Sequence, residues 1–140
     1  MYLYYKFWES LTLTTNPELI RLCDANLNRL REAVRVLEDV ARFVKDDKDL
    51  AKQLKTIRHN SRVENYQQYL QSRDIINDVL KEDTKSEMSR EDLEHVILAN
   101  FKRSQESART LEESFKIIDV KEASKFKKIR YELYNLEKEF

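Results

Sequence analysis

Asn26, Arg29 and Glu38 are residue types that can hold a phosphate, a heterocycle edge or a hard cation, and the chain carries them twice. Displacing the sequence by 74 residues brings Asp24–Asp39 onto Leu98–Glu113 with seven identities. These are Ala25, Asn26, Arg29, Glu32, Arg35, Leu37 and Glu38 against Ala99, Asn100, Arg103, Glu106, Arg109, Leu111 and Glu112. At about 100° per residue on a helix, with Asn26 as origin, Leu30, Ala33, Leu37, Val40 and Val44 fall within about 40° of it. Asn26 therefore sits inside the apolar stripe, Arg29 about 60° to one side and Glu38 near the opposite border. A buried amide or guanidinium costs several kcal/mol unless it is hydrogen-bonded, so its repetition calls for a cause. Two causes are open. Asn26, Arg29 and Glu38 pair with Asn100, Arg103 and Glu112 across a pseudo-twofold to fix helix register, or the helices enclose a polar cavity. In that cavity arginines take phosphate, carboxylates a hard cation and asparagines a ring edge. Glu32, Arg35 and their repeats point outward, where i,i+3 surface pairs suffice.

The elements that must position these groups are helices. Asn16-Pro17-Glu18 supplies a cap, a first-turn proline and a first-turn acid, so a helix is expected from there through Val44, ending at Lys45-Asp46-Asp47. Either Asp can cap a second helix from Lys48, carrying Leu50, Leu54 and Ile57. The pattern loosens beyond Arg58-His59, Asp83 to Glu87 reads as the longest connection, and Ser89-Arg90-Glu91-Asp92 resembles a capping box. A third long helix to about Ile118 and a last one from Lys121 complete the set. The second and last helices also align, with Ala51, Lys55, Ile57 and Arg58 meeting Ala123, Lys127, Ile129 and Arg130. The expectation is an all-α, duplicated pair of helical hairpins forming an antiparallel four-helix bundle-like domain over 16–140, with repeats at about 16–75 and 89–140. Residues 1–15, with Tyr2 to Trp8, form an aromatic segment expected to lie over the helices, to mediate a homodimer contact or to stack on bases.

Composition removes several classes. The 140 residues contain no glycine, so no Walker A loop and no GxGxxG turn exist. Lys and Arg balance Asp and Glu at 26 each, leaving no electrostatic footprint for nucleic acid or an acidic membrane. His59, His95 and Cys23 are the only soft ligands and form no HExxH or CxxC pair, so a metal here is expected to be hard and oxygen-bound. One cysteine and no apolar run of about 18 residues suggest a cytoplasmic chain without signal peptide or membrane span. Cys23 reads as a small core residue, His59 as a helix-end cation or a phosphate contact, and His95 as solvated.

Asp24-Ala25-Asn26-Leu27-Asn28-Arg29-Leu30-Arg31-Glu32, then Arg35-Val36-Leu37-Glu38-Asp39 and Arg42-Phe43, is similar to a small helical domain of thiamine biosynthesis often fused ahead of thiamine-phosphate synthase. Ile57-Arg58-His59, Ser72-Arg73-Asp74, Asn77-Asp78-Val79, Ala99 to Arg103 and Leu111-Glu112-Glu113 follow the same pattern, so the resemblance spans roughly residues 17 to 118. The family is identified as monofunctional hydroxymethylpyrimidine phosphate kinases. The resemblance implies ATP-dependent transfer, with Mg²⁺, to the phosphate of 4-amino-5-hydroxymethyl-2-methylpyrimidine phosphate. It implies Arg29, Arg73 and Arg103 on phosphates, Asn26, Asn100 and His59 on the pyrimidine substrate, and Asp74, Asp78 and Glu38 on the metal. Leu80 and Ala33 stand where the family frequently has Gly. A barrel synthase is excluded by the missing alternation of strands and helices. The alternative function is a non-catalytic docking or oligomerisation module for thiamine-phosphate synthase.

Overall fold

The computed structural model describes residues 16–140, with the backbone alone at Ser86. The aromatic Tyr2–Trp8 segment lies outside the described residues. Six helices follow one another: α1 (Pro17–Asp39), α2 (Lys48–Asn60), α3 (Tyr66–Ser72), α4 (Lys85–Met88), α5 (Leu93–Ile118) and α6 (Val120–Glu139). No strand occurs among the described residues.

The starting and stopping signals explain most boundaries. Asn16 accepts from the Leu19 N–H at 3.1 Å with Pro17 in the first turn, so α1 starts where expected. Its end is drawn out into a π-helical turn, Val40–Val44, in which the Lys45 N–H reaches the Val40 carbonyl at 3.0 Å. Of the two aspartates that follow, Asp46 takes a left-handed φ of 50° and Asp47 caps α2 through the Leu50 N–H at 3.0 Å. The capping box is not at Ser89. Thr84 and Glu87 form it and start the short α4 inside what reads from sequence as connection, whereas α5 is capped by Asp92 through the His95 N–H at 2.9 Å. Ser89 instead donates its hydroxyl to the Lys85 carbonyl at the end of α4.

Helices α1 and α5 form the inner pair, α2 and α3 lie on α1, and α6 lies on α5. Their facing stripes make one core that includes Leu30, Val34 and Leu37 of α1, Leu54 of α2, Phe101, Leu111 and Phe115 of α5, and Phe126 and Leu133 of α6. Phe115 stacks on Phe126 at 5.4 Å between centroids, and Phe101 meets Phe140 edge to face at 5.2 Å. Side-chain pairs Glu112–Arg130 and Gln105–Glu137 run in opposite senses along α5 and α6, the register of an antiparallel hairpin. The molecule is thus all-α and bundle-like, and α2 and α6 are separated by a groove lined by Lys52, Gln53, Ile57, Glu132, Asn135 and Leu136.

Candidate functional site

The repeated polar residues do not join across a pseudo-twofold. Glu38 takes Arg58 of its own hairpin on its two oxygens, from Nε at 2.8 Å and Nη2 at 3.4 Å, and Glu112 takes Arg130 on Oε2 alone, from Nε at 3.2 Å and Nη2 at 2.8 Å. Both carboxylates are buried, at 6% and 5% exposure, so each needs its own cation close by. The amides of Asn26 and Asn100 donate to the carbonyls four residues earlier, Leu22 and Val96, at 2.9 and 2.8 Å. Register is therefore held within each hairpin. Arg35 and Arg109 pair outward with Asp39 and Glu113, one turn on rather than with Glu32 and Glu106.

What remains after these pairings is a cleft of about 530 Å³ between the inner helices and the 73–92 connection. Helical spacing puts Asn26 and Arg29 on one face of α1 and Arg103, Glu106, Ser107 and Thr110 on the facing side of α5. The connection adds Asp78, Leu80, Lys81, Asp83 and Glu87. Arg29 and Arg103 are exposed and make no ion pair among the described residues. Asn26 is buried and lines the cleft, and its Nδ2 donates to the Leu22 carbonyl. Two Asx-type turns shape the third wall. Asp74 accepts from Asn77 N at 3.1 Å and Asn77 Nδ2 at 2.6 Å, and Asp78 accepts from Leu80 N at 3.0 Å. Those Asn77 bonds hold the Asp74 carboxyl below its ordinary range.

The wall is pinned to α1 by charge. Arg73 reaches the buried Asp24 with Nε at 2.8 Å and Nη2 at 2.9 Å, and Arg21 donates to the Asp74 carbonyl at 2.7 Å. Of the nine residues expected from sequence, Asn26, Arg29, Asp78 and Arg103 share the cleft. Arg73 and Asp74 anchor its connection, Asn100 is half-buried on α5, and Glu38 opens on a separate cleft with Arg42, Lys48 and Lys55. His59 is exposed in the last turn of α2, its ring pushed down by desolvation and by Arg62, Arg58 and Lys55. Glu38 thus lies in a different cleft from Asp78, and among the described residues no group of three or more His, Cys, Asp and Glu side chains is arranged to hold a metal. The cleft does offer Asp78, Asp83 and Glu106 as hard oxygen donors, the chemistry Mg²⁺ takes when bridged to a phosphate by one or two carboxylates. Arg58, Arg130 and Asp24 are the structural ion-pair residues that functional reasoning from sequence passed over, although the alignment of Arg58 with Arg130 already marked the first two.

A family model described as the ThiD2 family matches residues 21–139. The chain belongs to the ThiD2 family. Relatives of this ThiD2 chain include the thiamine-phosphate synthase of Rhodopirellula baltica, 42% identical over 128 residues, which cover 86% of this chain and 34% of that protein. The thiamine-phosphate synthases of Synechococcus sp. (strain CC9605) and Synechocystis sp. are 38% and 35% identical, over 87% and 85% of this chain and 35% of each relative. The chain spans about a third of the length of these relatives. No solved structure gives a significant match. Among the described residues no helix is long and apolar enough to cross a membrane.

Proposed function

We propose that this ThiD2 chain transfers a phosphoryl group from ATP to the phosphate of 4-amino-5-hydroxymethyl-2-methylpyrimidine phosphate. The family and the names of its relatives fit a domain of thiamine biosynthesis, and the kinase is the finer reading within it. The observation that carries it is the convergence of Arg29 and Arg103, unpaired and from opposite hairpins, on one cleft beside the buried Asn26. The acceptor oxygen of a phosphate monoester is already anionic, so transfer needs charge neutralisation and alignment more than a base. Two guanidiniums on facing helices supply both, and the Asn26 Oδ1 accepts from an exocyclic amine of the ring. Mg²⁺, when bound through Asp78 or Glu106, would neutralise the donor phosphates. Purified chain incubated with MgATP and the pyrimidine monophosphate is expected to form the pyrimidine pyrophosphate, read by mass spectrometry against a no-enzyme control.

A second reading, a docking module for thiamine-phosphate synthase, is favoured by one feature. Ile75, Ile76, Val79 and Leu80 are 72–93% exposed within six residues of the 73–92 connection. Absence of product and of any thermal shift with either ligand, together with co-elution with a synthase that Val79→Asp abolishes, would replace the kinase by this module.

A further inference from the structure

The formal net charge is zero, but the charges are not evenly spread along the chain. Residues 74–94 hold eight carboxylates against Lys81, Lys85 and Arg90, so the rest of the chain carries the balancing basic excess. Every residue from Ile75 to Lys85 is exposed, and the aliphatic side chains of Ile75, Ile76, Val79 and Leu80 stand in water just ahead of Glu82 and Asp83. The opposite character appears beside the π turn. A cleft of about 390 Å³ there is lined by Arg42, Lys48, Lys52 and Lys55, none of which makes an ion pair among the described residues. Of its carboxylates, Glu38 is held by Arg58 and Asp47 accepts from the Leu50 N–H, which leaves Asp46. Lys48, Lys52 and Lys55 recur at helical spacing on one face of α2, whose sole carboxylate is Asp49. Regular helical spacing would return Val44 to the apolar stripe, but the wider π turn leaves Val44 57% and Phe43 66% exposed, with the Arg42 guanidinium 4.8 Å from the Phe43 ring centre.

We propose that this basic cleft receives the 75–83 segment of a second copy of the chain. The two surfaces match in kind. One is cationic and edged by the exposed Phe43 and Val44, and the other is acidic and carries four exposed aliphatic side chains. Glu82 and Asp83 of one copy meet Lys52 and Lys55 of the other, while the aliphatic side chains cover Phe43 and Val44. Opposite charge steers the encounter and sets its register, and burial of the aliphatic surface drives it. A second copy fits better than an unrelated partner because both halves of the match lie in this one sequence, the acidic excess of 74–94 being balanced by the basic excess elsewhere. Each copy offers one segment and one cleft, so the contact joins unlike surfaces. It requires no transfer in the cleft of Arg29 and Arg103.

The test is sedimentation velocity of the whole chain over a micromolar concentration series, at low and at high salt. Self-association is expected, weakened about tenfold or more by high salt. Lys52→Glu with Lys55→Glu makes the cleft acidic, and Glu82→Lys with Asp83→Lys makes the segment basic, so each double variant should stay monomeric by itself. All four side chains are exposed, and the melting temperatures should remain near that of the parent. Mixing the two variants should restore association, because each segment then finds a cleft of opposite charge. If either double variant melts early, Lys52→Gln and Glu82→Gln carry the same test, each expected to weaken association several-fold. A parent chain that is monomeric throughout, an association that neither variant weakens, or a mixture that does not associate would each overturn the assignment. So would a chain that is monomeric alone and co-elutes with a thiamine-phosphate synthase instead.

Discussion

Glu38 holds Arg58 and Glu112 holds Arg130, with Arg109 a looser second partner at 3.7 Å, in a setting where neither Arg58 nor Arg130 has much water to fall back on, their side chains being only 15% and 10% exposed. Removing one partner of such a pair strands the other, which costs about 3–5 kcal/mol, whereas exposed pairs are worth about 0–1 kcal/mol. Glu38→Ala and Glu112→Ala are therefore expected to lower unfolding free energy in urea by several kcal/mol, and Arg35→Ala, in the half-exposed pair with Asp39, by less than about 1 kcal/mol. Equal losses in all three would sink the assignment of register to the buried pairs. Two further buried groups set an alkaline limit. Burial pushes the Cys23 thiol up to about 11 and the Tyr69 phenol upward as well. The unfolded chain releases these protons at the ordinary values, about 8.5 and 10, so it binds fewer protons than the folded chain above them. Stability is then whole below about pH 8.5 and falls as pH rises toward 11. The urea midpoint should drop over that window, and Cys23→Ala should flatten its lower part.

At the scale of elements, the adjacent aspartates between α1 and α2 show what a glycine-free sequence does where it must turn. Asp46 holds a left-handed φ of 50°, a conformation that favours Gly, while Asp47 caps α2. Asp46→Gly is expected to raise stability by a few tenths to about 1 kcal/mol, net of unfolded-state entropy, and Asp47→Ala to lower it by about 1 kcal/mol, both read from urea curves. The reverse ranking would mean that the cap belongs to Asp46. The sequence left these two residues undecided because both match the capping rule and only the backbone angle separates them. Long helices were legible, since Asn16-Pro17 and the apolar spacing from Leu19 onward agree with each other. The capping box was misplaced because Thr84-x-x-Glu87 and Ser89-x-x-Asp92 satisfy the same pattern, and the real box opens only one turn of helix. The cleft was half legible. Asn26, Arg29 and Arg103 follow from helical angle and repetition, but Lys81, Asp83 and Glu87 reach it through a connection whose path depends on the distant ion pair Arg73–Asp24.

For the molecule as a whole, the inner helices matter because each hairpin contributes one arginine with no ion pair among the described residues and neither hairpin encloses the cleft alone. Under the kinase reading, Arg29 and Arg103 clamp the same developing charge, so they act as a unit. Arg29→Leu and Arg103→Leu should each lower kcat/KM by about 10²-fold or more, and the double variant should lose far less than the product of the two. Folding should be indifferent. Both side chains are exposed and unpaired, which places their effect on stability within about 0.5 kcal/mol, and the melting temperature should stay near that of the parent. Strictly multiplicative losses would mean that the arginines serve separate phosphates at separate steps. A joint fall in stability and activity would instead return both residues to the packing of α1 on α5, and the cleft would lose its claim to be the site of transfer.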